Sequence, residues 1–300
     1  MLTPQESYPK LAKALNVPNV ILKREDLHKY GSHKGRSIPK MITSYANQGY
    51  NNFVISSSGN AALAAIHLVR DYNFDNPNHK ITLKVFVGKN IDKEKLKILE
   101  HSILSPYEGE VEGVGGPISI IQTDRPKQSA FQTEKETKTR NLRQSTDDSA
   151  LKGYKTLAEE LNIIKNLQAI FIPTSSGATA EALGKFLPPT VQIHIVQTSA
   201  CHPMAQEFNA NFITEKKSIA TAIVDIIAHR KEKVLQTIKN SHGSGWVISN
   251  DEIKKAIKLV REKTDIEISP NSALSVAGLT KAVKNSWKFD SSVVCLITGK

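Results

Sequence analysis

The chain has 300 residues, 39% hydrophobic, 23% charged and 6% aromatic, a balance that argues against disorder and against a fibre. That length buries a sizeable core, as one large domain or two modest ones. The formal net charge of +11 leaves three readings open: nucleic-acid binding, an acidic small substrate, or a lysine-rich proteome.

Short β-branched runs alternate with helical patterns along the whole chain. The pattern predicts a strand over 20–23, a helix opening at Lys34, a strand over 52–55 and a helix over 61–72. A strand over 81–87, a helix over 93–101 and a strand over 118–122 follow. The polar stretch 105–116 reads as a surface loop, and 133–149, almost without apolar periodicity, as a domain boundary or linker. Beyond it come a helix over 153–164, a strand over 169–172, a helix over 178–186 and a strand over 192–197. Helices over 251–263 and 272–284 and a strand over 293–297 complete the series. The 251–263 helix has the clearest start, with Ser249 or Asn250 as cap and Asp251 and Glu252 in the first turn. Its apolar residues Ile253, Ala256, Ile257 and Val260 fall on one stripe. Such alternation predicts an α/β protein, parallel sheets flanked by helices, in two lobes with a cleft between them.

No apolar run approaches the roughly 20 residues that cross a bilayer, so no membrane partner is expected. Residues 1–13 lack the apolar core of a signal peptide, and Cys201 and Cys295 are too few for a disulfide framework or a zinc ribbon. A reducing, cytoplasmic setting and no metal are the expectation. The densest basic stretch, 125–143, is interrupted by Glu134 and Glu136 and has Phe131 as its only aromatic. Nucleic-acid readers combine a basic face with stacking aromatics or a reading motif. A solvated helix face, with no nucleic-acid partner, is the simpler reading.

Three strand-to-helix junctions are richer in small hydroxylated residues than packing requires. In Tyr30-Gly31-Ser32-His33-Lys34-Gly35-Arg36, a lysine at a helix start meets unpaired N–H groups and the positive end of the dipole. That setting disfavours its charge and favours a nucleophilic amine; taken alone, a solvated surface lysine is the simpler reading. Ser56-Ser57-Ser58-Gly59-Asn60 suits a carboxylate or phosphate at a helix start, or is an ordinary serine cap. Pro173-Thr174-Ser175-Ser176-Gly177-Ala178-Thr179 lets backbone N–H groups close on an anion. Walker, Gly-x-Gly-x-x-Gly, His-Glu-x-x-His and Gly-x-Ser-x-Gly motifs are missing. An amine for an aldehyde, a loop for a carboxylate and a cup for a phosphate together suit pyridoxal 5′-phosphate (PLP) with an amino acid.

On these motifs the chain, from Thr3-Pro4 to Thr298-Gly299, resembles the fold type II PLP-dependent enzymes, the tryptophan synthase β-like family. The resemblance implies a large PLP-binding lobe from 1–34 and 149–300, a small lobe from 35–148, and the cofactor in the inter-lobe cleft. Lys34 matches the Schiff-base lysine of the family's Ser-Phe-Lys-Asp-Arg motif. Asn60 matches the asparagine that bonds the PLP 3′-hydroxyl, and Ser57, Ser58 and Gly59 match the loop that grips the substrate carboxylate. Ser175, Ser176, Gly177, Ala178 and Thr179 match the phosphate cup, and Thr298 the hydroxyl facing the pyridine nitrogen.

Gly153-Tyr154-Lys155-Thr156 and the closing Thr298-Gly299 resemble marks of the threonine synthases within the family. That implies conversion of O-phosphohomoserine and water to threonine and phosphate, in a homodimer with a small amino-acid substrate. A threonine or serine dehydratase or a cysteine synthase would use the same Lys34 and Asn60. A catalytically silent binding protein is a third reading. The departures from the family pattern are His33 in place of phenylalanine, Gly35 in place of aspartate, and Ser175 and Ala178 where glycine is common. The sequence also ends at Lys300, just after the Thr-Gly pair, where relatives continue.

Overall fold

The computed structural model describes residues 2–103, 116–209 and 211–299. All but Gly116 of the expected loop at 105–116 lies outside the described residues. The chain folds as two compact units, Met1–His33 with Tyr154–Lys300, and Lys34–Gly153. The first unit opens with β1 (Gln5–Ser7), α1 (Pro9–Leu15) and β2 (Asn19–Arg24). The second runs through α2 (Lys34–Ala46), β3 (Asn52–Ser56), α3 (Asn60–Asp75), β4 (Thr82–Gly88), α4 (Lys93–Ile103) and β5 (Ile118–Thr123). It continues through α5 (Pro126–Glu136), β6 (Arg140–Asn141) and α6 (Ser149–Gly153). The chain returns to the first unit with α7 (Lys155–Asn162), β7 (Leu167–Pro173), α8 (Ala178–Phe186) and β8 (Gln192–Thr198). Then come α9 (Lys231–Asn240), β9 (Ser244–Ile248), α10 (Asn250–Thr264), α11 (Pro270–Lys284) and β10 (Ser292–Ile297).

The first unit's sheet has the order β1-β2-β10-β7-β8-β9, parallel throughout except for β1. Its central strands are buried along their length, so they read as continuous apolar runs rather than alternating ones. Helix α11 lies on this sheet through small residues. A Cβ at Gly278 would stand 2.5 Å from Val196 Cγ2, so the close approach of helix to strand needs glycine there. Helix α10 opens on a capping box: Ser249 Oγ accepts from the Glu252 N–H, and Glu252 Oε2 accepts from the Ser249 N–H at 2.8 Å. A buried polar knot ties β2 to α7 and to the segment ahead of β1, where Lys23 Nζ meets Glu160 Oε2 at 2.5 Å and Thr3 O at 2.9 Å.

The second unit's sheet has the order β5-β4-β3-β6, all parallel. The linker expected at 133–149 is instead part of this unit. Two residues of it form β6 beside β3, and the buried Leu142 donates its N–H to Val54 O at 2.8 Å. A strand of two residues leaves no periodicity to read. Helix α5 falls on the basic stretch expected to be a solvated helix face, whereas strands β1 and β9 and helices α1, α6 and α9 were not foreseen; α9 buries only Val234 and Ile238, too few for a visible stripe.

Candidate active site

In the first unit β7 and β10 are parallel neighbours, so the loop leaving β7 and the residue leaving β10 emerge at the same carboxyl edge of the sheet. Open α/β sheets bind ligands at that edge. The loop leaving β7 is 174–177, and it runs into the nine-residue helix α8. Thr174 fixes its start: its N–H donates to Val196 O at 2.9 Å, and its carbonyl accepts from Gln197 Nε2 at 3.2 Å. Gly177 turns the chain into α8 at φ +87°, and a Cβ there would stand 2.8 Å from Val234 Cγ2. Both facts demand glycine at that position.

Among the described residues, the N–H groups of Ser175, Ser176, Gly177 and Thr179 donate to no group of the chain. They sit at the positive end of a helix dipole, with the Ser176 and Thr179 hydroxyls beside them. This donor set fits a phosphate monoester, which is the group PLP presents. One acidic group stands against it: the Ser175 hydroxyl donates to Asp225 Oδ2 at 2.9 Å.

Thr298 leaves β10 buried, at 5% exposure. Its carbonyl accepts from the His33 N–H at 2.9 Å and from His33 Nδ1 at 2.8 Å. The next residue is held equally well, since Gly299 O accepts from Ser269 Oγ at 2.7 Å and from Ser272 Oγ at 2.8 Å. Ser269 also caps α11 by accepting from the Ser272 N–H. Lys34 follows His33 directly, so covalent geometry keeps its Cα within about 3.8 Å of a residue tied to Thr298.

In the second unit Lys34 is the first residue of α2 and is half-buried. Ser57, Ser58 and Gly59 leave β3, a central strand, at its carboxyl end. Ser57 Oγ accepts from the Gly59 N–H at 3.3 Å, and Asn60 opens α3. Below Lys34, α6 crosses α2 with the backbones touching: a Cβ at Gly153 would stand 2.2 Å from Arg36 O and 2.5 Å from Ser37 Cα. The glycine of the Gly-Tyr-Lys-Thr mark is therefore a packing requirement of the helix that begins at Lys34.

Gln197, Asp225, Ser269 and Ser272 were not singled out from the sequence as site residues, although two of them bond residues that were, Asp225 to Ser175 and Ser272 to Thr298. Ser269 and Ser272 carried a signal, a Ser-Pro-Asn-Ser helix start, but the partner of that start was not legible. The basic stretch 125–143 is partly used inside the second unit. Arg140 Nη2 donates to Tyr45 Oη at 2.8 Å, and its guanidinium lies 4.4 Å from the Tyr45 ring centre. No group of three or more histidine, cysteine or acidic side chains suited to a metal exists among the described residues.

Residues 2–299 match the family model described as pyridoxal-phosphate dependent enzyme. A threonine synthase of Methanocaldococcus jannaschii is 26% identical over 321 residues, covering 99% of this chain and 74% of that protein. A mitochondrial threonine dehydratase of Saccharomyces cerevisiae is 24% identical over 287 residues, covering 91% of this chain and 46% of that protein. Among solved structures, maize serine racemase superposes with a TM-score of 0.80 at 17% identity, covering 100% of this chain and 88% of that one. That last likeness shows the fold alone. With the family model matched along almost its whole length, the chain belongs to the pyridoxal-phosphate dependent enzyme family and has its fold type II architecture.

Proposed function

We propose that this protein is a PLP-dependent lyase acting on a small amino acid, and that its activity is that of a threonine synthase. The observation that carries the site is the double hydrogen bond from His33 to Thr298, which anchors the residue next to Lys34 at the sheet edge bearing the 174–179 loop. The choice of substrate rests on the threonine synthase of M. jannaschii, which aligns with 99% of the chain.

In this reading the Lys34 amine carries the cofactor and moves the proton at the substrate Cα. Ser57, Ser58 and Gly59 take the substrate carboxylate, and Asn60 bonds the cofactor's 3′-hydroxyl. Ser175, Ser176, Gly177, Ala178 and Thr179 hold its phosphate through backbone and hydroxyl donors. Bound PLP supplies an electron sink for charge developing at Cα. Thr298 presents a neutral hydroxyl to the pyridine nitrogen, where a carboxylate would hold a proton, and the milder sink suits elimination and replacement. The substrate is then O-phosphohomoserine, which loses phosphate and gains water to give threonine. The same reading gives a cytoplasmic biosynthetic enzyme working as a homodimer.

A threonine or serine dehydratase is the second reading, supported by the S. cerevisiae relative that aligns with 91% of the chain. One experiment separates them. Protein reconstituted with PLP is given O-phospho-L-homoserine, and phosphate release is followed for wild type and Lys34→Ala. Release with threonine as co-product, absent in the variant, supports the first reading. No release from wild type, with ketoacid formed from threonine or serine, moves the assignment to the second.

A further inference from the structure

We infer that Asp225 is an internal competitor for the phosphate cup, a carboxylate that sets how tightly the cup holds a phosphorylated ligand. The inference rests on the reading of 175–179 as that cup. Ser175 has one hydroxyl proton, and it is committed to Asp225 Oδ2 at 2.9 Å. The Ser175 hydroxyl oxygen in turn accepts the N–H groups of Val224 at 3.2 Å and Asp225 at 3.3 Å. A phosphate oxygen that takes the Ser175 proton must therefore displace the carboxylate. It does so against the repulsion between a dianion and a carboxylate at the same site.

The segment that carries Asp225 is built to be displaced. Val224, Ile226 and Ile227 are 58%, 79% and 72% exposed, so the side chains flanking Asp225 are not held by burial, and the last core anchor ahead of it is the buried Ile223. Beyond that anchor, polar contacts hold the segment. Ahead of Asp225, the Ala222 N–H donates to Asn271 Oδ1 at 2.9 Å, at the start of α11. Behind it, the buried Arg230 pairs with Glu181 of α8 at 2.7 Å. Both anchors lie on helices whose first turns adjoin Thr298 or the cup, and the Ser175–Asp225 bond between them is the one a phosphate can replace. Serine at 175 is itself a departure from the glycine common in such cups, and its hydroxyl is what gives Asp225 something to hold.

The test is cofactor titration of full-length protein stripped of PLP, comparing PLP with pyridoxal, which lacks the phosphate. Asp225→Asn and Asp225→Ala are expected to bind PLP on the order of tenfold more tightly, the scale of removing one partly solvated charge from beside an anion. Pyridoxal binding is expected to be unchanged. In a Ser175→Ala background the gain from Asp225→Asn is expected to shrink. Unchanged or weaker PLP binding by both variants overturns the inference, as does a gain of equal size for pyridoxal or in the Ser175→Ala background. Wild-type protein that holds pyridoxal as tightly as PLP overturns the cup reading itself, and Asp225's role with it.

Discussion

The carbonyl oxygen of Thr298 accepts two hydrogen bonds from His33, one from its backbone N–H and one from Nδ1, across a sequence separation of 265 residues. A carbonyl can only accept, so Nδ1 carries the proton. The ring also stacks on the fully buried Tyr154, with centroids 6.1 Å apart and planes 22° from parallel. Histidine thus keeps the aromatic character of the family's phenylalanine and adds a bond to the residue leaving β10.

His33→Phe should keep the stack and lose the side-chain bond, costing about 1 kcal/mol of stability while retaining PLP. His33→Ala loses both and should cost roughly 3 kcal/mol, with weaker PLP retention. Urea denaturation and cofactor titration of the two variants check the order.

Gly153→Ala should be severe for so small a change. The added Cβ meets the Arg36 carbonyl oxygen at 2.2 Å, and backbone cannot rotate aside. A loss of about 3 kcal/mol is expected, and cofactor uptake should fall because the strained turn of α2 begins at Lys34. A melting curve and a PLP titration on the same preparation measure both effects.

Lys23 is fully buried, and its ammonium donates to Glu160, Thr3 O and Gln5 Oε1. Lys23→Met leaves the Glu160 carboxylate in place without its cation and should cost about 3 kcal/mol or more. Lys23→Met with Glu160→Leu should recover much of that loss, because no buried charge remains. Guanidinium denaturation of the four proteins of the cycle decides it.

Acid should weaken the first unit through His194. Burial between Phe171 and Trp246 pushes its pKa down to about 3, and Trp246 Nε1 donates to its Nδ1 at 3.2 Å. Between the ordinary histidine value near 6.5 and that value, the unfolded chain binds a proton that the folded chain refuses. Stability therefore falls as pH falls through this window, by roughly 1 kcal/mol per pH unit from this group. His194→Gln should flatten the slope of stability against pH across the upper part of the same window, measured by chemical denaturation.

Much of the candidate site was legible because its signals are local. A lysine at a helix start, a Ser-Ser-Gly-Asn turn and a Thr-Ser-Ser-Gly turn each follow a β-branched run, and the structure puts all three at the starts of helices α2, α3 and α8. The strands that were missed are the short β1 and β6, and β9, whose Ser-Gly opening hides its run. Their pairing is set by neighbours rather than by their own sequence.

The sequence by itself determined the alternation of strands and helices, the junctions that carry Lys34, Asn60 and Ser175 to Thr179, and through them the PLP-dependent family. Tertiary structure alone decided which distant groups meet those junctions. Strand β10, last in the chain, inserts between β2 and β7. That order brings Thr298 to His33 and sets it on the edge where the 174–179 loop emerges. Gln197, Ser272 and Asp225 reach the site as partners from other elements. Periodicity reports which face of an element is buried; a hydrogen bond between residues 50 or 265 positions apart depends on how the buried faces are stacked.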